Sequence, residues 1–128
     1  MAGYLGRMAT DIFVENHRKG FHDDYHEFGA WIALITSELS EALEADRKGK
    51  RADLNKLYEE GAKEAENGFN TFPSDFEDYI KDTVEDELAD AIIRILDLCA
   101  LMDIDIDEHI KLKRQYNQTR PYKHGKNY

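Results

Sequence analysis

The segment Val84–Leu101 constrains the fold more than any other part of this sequence. At about 100° per residue it is apolar on most sides of a helix, and its apolar positions are Leu88, Ala91, Ile92, Ile93, Ile95, Leu96 and Leu98. Such a helix is central and has to be covered all round. Its polar exceptions form one stripe, made of Glu87, Asp90, Arg94 and Asp97. Arg94 follows Asp90 at the spacing of a helical ion pair.

A second helix is predicted over residues 24–48, with Gly49 as the residue that ends it. On this helix Glu38 falls inside the apolar arc, and Glu41 falls at its edge. The apolar residues within about 60° of Glu38 are Trp31, Leu34, Ile35, Ala42 and Ala45. A buried and unpaired carboxylate costs several kcal/mol or takes up a proton. The pattern therefore indicates a positive partner for Glu38.

Two pairs of carboxylates share this design: Glu38 with Glu41, and Glu87 with Asp90. A spacing of three residues puts both members of a pair on one helical face. Four carboxylates on facing helices repel one another, and a hard divalent cation relieves that repulsion. We therefore expect these four residues to bind Mg²⁺, with Mn²⁺ as a substitute, leaving open positions for water and phosphate oxygens. The alternative is that the pairs are ordinary surface acids.

A di-iron centre is the obvious competitor among carboxylate sites in helix bundles. Such centres use two Glu-x-x-His ligand sets on inward faces. No glutamate in this sequence has a histidine three residues later. The sequence thus argues against an oxygen-activating centre.

The rest of the chain also reads as helical. Helices are predicted over residues 7–19, 52–66 and 105–117, and residues 66–73 form a loop by composition. Ser74 with Glu77 has the form of a capping box, and Thr83 with Asp86 offers a second helix start. We expect one all-α domain over residues 1–128, an antiparallel bundle of about four to five helices. Oligomerisation is expected to complete it, because the Val84–Leu101 helix needs more cover than one protomer provides.

The charge is unevenly distributed along the chain. The net charge is −10, and all 27 acidic residues precede residue 111, whereas six of the 17 basic residues lie in residues 111–128. The acidic total argues against a general nucleic-acid binder. The basic tail over residues 111–128 is either a solvated segment or a clamp for a metal-bound polyphosphate. The single cysteine, Cys99, and the lack of a signal-peptide or transmembrane pattern lead us to expect a cytoplasmic protein without a membrane partner.

Glu38-x-x-Glu41 followed by Glu87-x-x-Asp90 resembles the signature of the MazG-like, all-α nucleoside triphosphate pyrophosphohydrolases. Residues 37–45, 86–94 and 116–126 also read like segments of that family. The resemblance covers most of residues 7–126. One departure is the 45-residue gap between Glu41 and Glu87, which is longer than the usual pattern. The resemblance places the extra segment, residues 50–80, near the site and leaves the choice of substrate open.

The resemblance implies a homodimer or homotetramer that hydrolyses a nucleoside or deoxynucleoside triphosphate to the monophosphate and pyrophosphate with Mg²⁺. It implies metal binding and catalysis by the four carboxylates. Candidate substrate-binding residues are Lys113, Arg120, Tyr122, Lys123, Lys126, Trp31 and His17, with the basic ones facing the triphosphate and the others the base. For Trp31 a place in the core is the competing interpretation. Two alternatives stay open: a phosphoribosyl-ATP pyrophosphatase type of activity, and a non-catalytic helical oligomer that binds a partner.

Overall fold

The computed structural model describes residues 3–122, and within this range it contains helices and no strand. The six helices are α1 (Tyr4–Arg18), α2 (Phe28–Arg47), α3 (Leu54–Glu66), α4 (Phe72–Tyr79), α5 (Val84–Leu101) and α6 (Ile106–Thr119). The predicted all-α class is confirmed. Six helices are one more than the expected maximum of five, because residues 50–80 form two helices, α3 and α4.

The chain divides into two compact units. Unit 1 comprises residues 1–25 and 95–128, of which residues 3–25 and 95–122 are described. Unit 2 comprises residues 26–94. Helix α5 contributes its first part to unit 2 and its last part to unit 1. The expected single domain over residues 1–128 stays a prediction.

Unit 1 is built on α1, α6 and the end of α5. Its core consists of the buried residues Ala9, Ile12 and Leu96, with partly buried apolar neighbours at Leu5, Met8, Ala100 and Ile106. Asp107 on α6 closes the start of α1, since its carboxylate accepts the backbone N–H groups of Leu5 at 3.0 Å and Gly6 at 2.7 Å. This satisfies two of the donors that a helix N-terminus leaves open.

Unit 2 contains α2, α3, α4 and the start of α5, and α3 packs against α4. The short connection from α2 to α3, residues 48–53, is held to the following elements by backbone hydrogen bonds. Asp53 N–H donates to Tyr79 O at 3.0 Å, and Val84 N–H donates to Lys50 O at 3.1 Å. The end of α2 is therefore fixed beside the start of α5. This brings the acidic residues of α2 close to those of α5.

Most predicted helix ends agree with the structure. Gly49 has a positive φ of 67°, as a residue ending α2 should. Thr83 Oγ1 accepts the N–H of Asp86 at 3.3 Å, and Asp105 Oδ1 accepts the N–H of Glu108 at 3.3 Å. The predicted capping box at Ser74 is wrong. Helix α4 begins at Phe72, and Ser74 lies inside it and donates to Thr71 O at 3.1 Å.

The apolar surface of α5 is only partly covered. Leu88 and Ile92 are 45% and 54% exposed. Ile32, Leu39 and Leu43 of α2 are exposed as well. The buried apolar residues of the described chain include many alanines, and none of its large side chains is fully buried. The cover that the sequence requires for α5 is thus incomplete within one chain.

Candidate functional site

Three of the four predicted carboxylates converge in unit 2. Glu38 and Glu41 lie one turn apart on α2, and Glu87 lies in the first turn of α5. One carboxylate oxygen from each lies within 4.8 Å of the others. Glu38 and Glu87 are 7% and 5% exposed, whereas Glu41 is exposed. The helical spacing and the apolar setting of Glu38 therefore identified a buried position correctly.

Two further acids, Asp82 and Asp86, lie close to Glu87 and so extend the same group of carboxylates. One carboxylate oxygen from each of Asp82, Asp86 and Glu87 lies within 4.8 Å of the other two. Asp82 lies in the connection between α4 and α5 with a φ of 63°, and its N–H donates to Asp86 Oδ2 at 3.0 Å. Sequence reasoning missed both, because Asp86 serves there only as a helix-start signal and Asp82 precedes the helix, where spacing gives no information. We refer to Glu38, Glu41, Asp82, Asp86 and Glu87 as the acidic cluster.

Glu87 is the central member of the acidic cluster. Its Oε2 atom is buried and, within residues 3–122, accepts no hydrogen bond. Burial, and then the neighbouring carboxylates of Glu41 and Glu38, raise the pKa of Glu87 from its ordinary value of 4.5 to about 8. The side chain is thus held in an environment that disfavours its charged form.

Asp90 is half-buried on α5 and belongs to neither group of close carboxylate oxygens in the described chain. Burial and then the charges of Asp86 and Glu38 raise its pKa, and Arg94 opposes that rise. The spacing indicates an ion pair between Arg94 and Asp90, but Arg94 Nε donates to Glu38 Oε1 at 2.9 Å. Arg94 therefore links α5 to α2 and supplies one positive partner to Glu38. Metal binding by Asp90 stays a prediction.

The candidate base-binding residues occupy two different units. Trp31 in unit 2 is partly buried and meets the ring of His26 edge-on, with 5.4 Å between the ring centroids. His17 in unit 1 is exposed and lies nearly parallel to the ring of Phe13, at 6.0 Å between centroids. Their role in binding a base stays a prediction.

The candidate basic residues that the structure describes belong to unit 1. Lys113 and Arg120 both contact the ring of Tyr116, with their charged groups 5.4 and 5.7 Å from its centroid. These cation–π contacts place both charged groups at the ring of Tyr116. Tyr122 is 87% exposed. Lys123 and Lys126 lie outside the described residues.

The last polar residue of the α5 stripe, Asp97, has a different environment. It is 3% exposed and belongs to unit 1. His22 Nε2 lies 3.0 Å from both of its carboxylate oxygens, and Asn16 Nδ2 donates to Oδ2 at 3.0 Å. Since an ionised carboxylate only accepts, His22 donates to it through Nε2. Both oxygens of Asp97 therefore have partners, as a structural buried acid requires.

None of the helices within residues 3–122 combines the length and the hydrophobicity that a membrane span requires. Comparisons with protein-family models, with curated proteins and with solved structures find no match to this chain.

Proposed function

We propose that this chain is a Mg²⁺-dependent nucleoside triphosphate pyrophosphohydrolase, which converts a nucleoside or deoxynucleoside triphosphate to the monophosphate and pyrophosphate. The observation that carries the proposal is the buried Glu87 carboxylate, which has two other glutamates beside it and one oxygen without a hydrogen-bond partner among residues 3–122. When such a carboxylate is ionised, its burial among other carboxylates is costly unless a cation joins it. The reaction and the substrate class come from the resemblance of the two carboxylate pairs to MazG-like enzymes.

The donor set fits a hard divalent cation. All members of the acidic cluster offer carboxylate oxygens, which Mg²⁺ and Mn²⁺ prefer over the nitrogen and sulfur ligands typical of Zn²⁺. Glu87 belongs to both groups of close oxygens, so it is the residue that any cation in this cluster would share. When bound there, the cation neutralises phosphate oxygens and lowers the pKa of a bound water.

The chain's own residues hold the cluster in position. Arg94 fixes one oxygen of Glu38, and the backbone N–H of Asp82 fixes one oxygen of Asp86. Orientation of this kind by neighbouring groups is typical of metal ligands in proteins. Glu41 is exposed and faces the solvent side of the cluster, where a substrate would enter. We assign the metal-binding and catalytic roles to Glu38, Glu41, Glu87 and Asp90, and we add Asp82 and Asp86 as candidate ligands.

The oligomer is part of the proposal. Apolar side chains on α2 (Ile32, Leu39 and Leu43) and on α5 (Leu88 and Ile92) are exposed within one chain. Their burial in a homodimer or homotetramer would complete the cover that α5 needs. The same exposed surface favours the second candidate, a non-catalytic helical oligomer that binds a partner protein. A phosphoribosyl-ATP type of activity uses the same chemistry, and the choice between the two enzymes rests on the substrate.

The test is turnover with Mg²⁺ and a panel that includes ribonucleoside triphosphates, deoxynucleoside triphosphates and phosphoribosyl-ATP, with the products identified. We expect a monophosphate and pyrophosphate from at least one substrate. Glu38→Gln and Glu87→Gln are expected to lower turnover roughly 100-fold or more, since even residues that only orient a metal ligand contribute 10–100-fold. Glu59→Gln, which removes the same charge from an exposed position on α3, is the matched control.

Two results would contradict the proposal. Absence of both products across the whole panel would leave the partner-binding oligomer as the better interpretation. Wild-type rates in both cluster variants would refute the site assignment. Circular dichroism of each variant shows whether the fold is intact.

A further inference from the structure

A cleft of about 260 Å³ opens beside the acidic cluster in unit 2. Its acidic lining includes Glu41, Asp82 and Glu87, which belong to the cluster. Its basic lining consists of Lys48 and Lys50, from the connection that follows α2. A cleft lined by both signs of charge next to a candidate cation site fits an anion that arrives together with a cation.

Backbone hydrogen bonds to the end of α2 and to the start of α5 fix the backbone of Lys50 in this cleft. Its N–H donates to Ala45 O in the last turns of α2 at 2.9 Å, and its carbonyl oxygen accepts the N–H of Val84 at 3.1 Å. Gly49, with its φ of 67°, makes the turn that allows the first of these bonds. Lys50 therefore occupies a set position between the two helices that carry Glu38, Glu41 and Glu87.

The side chain of Lys50 has charge available for a ligand. Lys48 forms an ion pair with Glu44 at 3.7 Å. Lys50 is exposed and forms no ion pair with any residue in the part of the chain that the structure describes. A lysine that forms no ion pair with the nearby carboxylates is a candidate partner for an incoming phosphate. An ammonium group binds a phosphate as a point charge.

We propose that this cleft is the polyphosphate subsite and that Lys50 binds a phosphate group of the substrate next to the cation. The inference rests on the proposed function and adds a residue that neither the carboxylate motifs nor the basic tail indicates. In this arrangement Glu41 and Glu87 would hold the cation beside the polyphosphate, and the ammonium group of Lys50 would neutralise a phosphate charge. Lys48 has a secondary role, because its ammonium group already pairs with Glu44.

The experiment titrates two probes separately by calorimetry. Mn²⁺ alone reports on the acidic cluster, and pyrophosphate in the presence of excess Mg²⁺ reports on the cleft. Lys50→Gln is expected to weaken pyrophosphate binding about tenfold, the size of one charge-assisted hydrogen bond. Mn²⁺ binding is expected to stay at the wild-type value or to strengthen slightly, since a nearby positive charge is removed. Lys50→Arg should retain most of the pyrophosphate affinity.

Two lysines provide matched controls. Lys56→Gln removes the same charge from an exposed position on α3 and should leave both titrations unchanged. Lys48→Gln should weaken pyrophosphate binding by less than Lys50→Gln does. Each substituted lysine is exposed at the surface. The melting temperature of each variant is compared with that of the wild type before titration.

The outcomes separate this inference from the function on which it rests. If the wild type binds Mn²⁺ but Lys50→Gln binds pyrophosphate as tightly as the wild type, the subsite is wrong and the metal site stands. The same holds if the wild type binds Mn²⁺ and no pyrophosphate, or if only Lys113→Gln or Arg120→Gln weakens pyrophosphate. If the wild type binds no Mn²⁺, the proposed function fails, and the subsite fails with it.

Discussion

Glu87 and Asp97 are both buried acids on α5, ten residues apart, and their surroundings are opposite. Asp97 is 3% exposed and has a hydrogen-bond partner for each oxygen, from His22 and Asn16. Glu87 is 5% exposed, and its close neighbours include the carboxylates of Glu38, Glu41, Asp82 and Asp86. One of its oxygens has no partner among residues 3–122.

The difference shows that burial alone does not decide whether the charge of an acid is compensated. A buried carboxylate whose oxygens all have hydrogen-bond partners has a structural role. Removing one partner destabilises the protein by more than the pair itself contributes, because a buried group is left uncompensated. A buried carboxylate that faces other carboxylates is stable only when it is protonated or when it binds a metal ion. The two residues on one helix therefore provide an internal comparison, which the following predictions sharpen.

The largest effect is expected for Asp97→Ala. This change leaves the buried groups of His22 and Asn16 without their acceptor, so we expect the free energy of unfolding to fall by about 3 kcal/mol. Urea denaturation followed by circular dichroism measures it. Metal binding, measured on the folded variant, should be unaffected. A loss below about 1 kcal/mol would mean that Asp97 is not the structural counterpart of Glu87.

Glu87→Gln is expected to change stability in the opposite direction in the absence of metal. The variant removes a charge that burial and two glutamates oppose, so the metal-free protein should gain about 1–2 kcal/mol at pH 9. The folded pKa of about 8 lies above the ordinary value of 4.5. The native chain therefore holds the extra proton between these values, and the contribution of Glu87 to stability falls as pH rises from 4.5 to 8.

The pH dependence provides the check on that prediction. With EDTA present, the stability difference between Glu87→Gln and the wild type should be small at pH 4 and should grow up to pH 9. Mn²⁺ should raise the melting temperature of the wild type and have little effect on the variant. A difference that does not change with pH would show that burial and the neighbouring glutamates do not oppose the ionisation of Glu87.

The smallest effect is expected for Asp107→Ala. This half-buried acid resembles Asp97 in having partners for both oxygens, but they are backbone N–H groups that water can reach when the cap is lost. We expect a loss of about 1 kcal/mol, the usual value of a helix cap. Thermal unfolding measures it, and hydrogen exchange at Leu5 and Gly6 should increase. A loss as large as that of Asp97→Ala would remove the distinction between buried and accessible partners.

Local signals predicted much of the fold. Capping residues at Thr83 and Asp105 and the glycine at 49 act within one turn of chain, so their roles can be read from sequence. The prediction failed at Ser74, because Pro73 is tolerated in a first helical turn, where its missing N–H has no partner to lose. The helix could therefore start earlier than the capping motif indicated.

The candidate site was predictable only where it depends on helical spacing. The positions of Glu38, Glu41 and Glu87 follow from periodicity and from their apolar neighbours. The contribution of Asp82 depends on a positive φ in a connection, and that of Lys50 depends on how residues 48–53 meet the start of α5. Contacts between distant segments leave no periodic trace in a sequence, and the pair of His22 with Asp97 is hidden for the same reason.

The positive φ of Asp82 has a consequence for the evolution of this chain. A left-handed backbone conformation costs an aspartate about 1 kcal/mol or more, whereas a glycine adopts it freely. Selection for thermal stability alone would favour glycine at this position. The aspartate at this position therefore exchanges some backbone stability for a carboxylate oxygen that lies within 4.8 Å of one from Glu87.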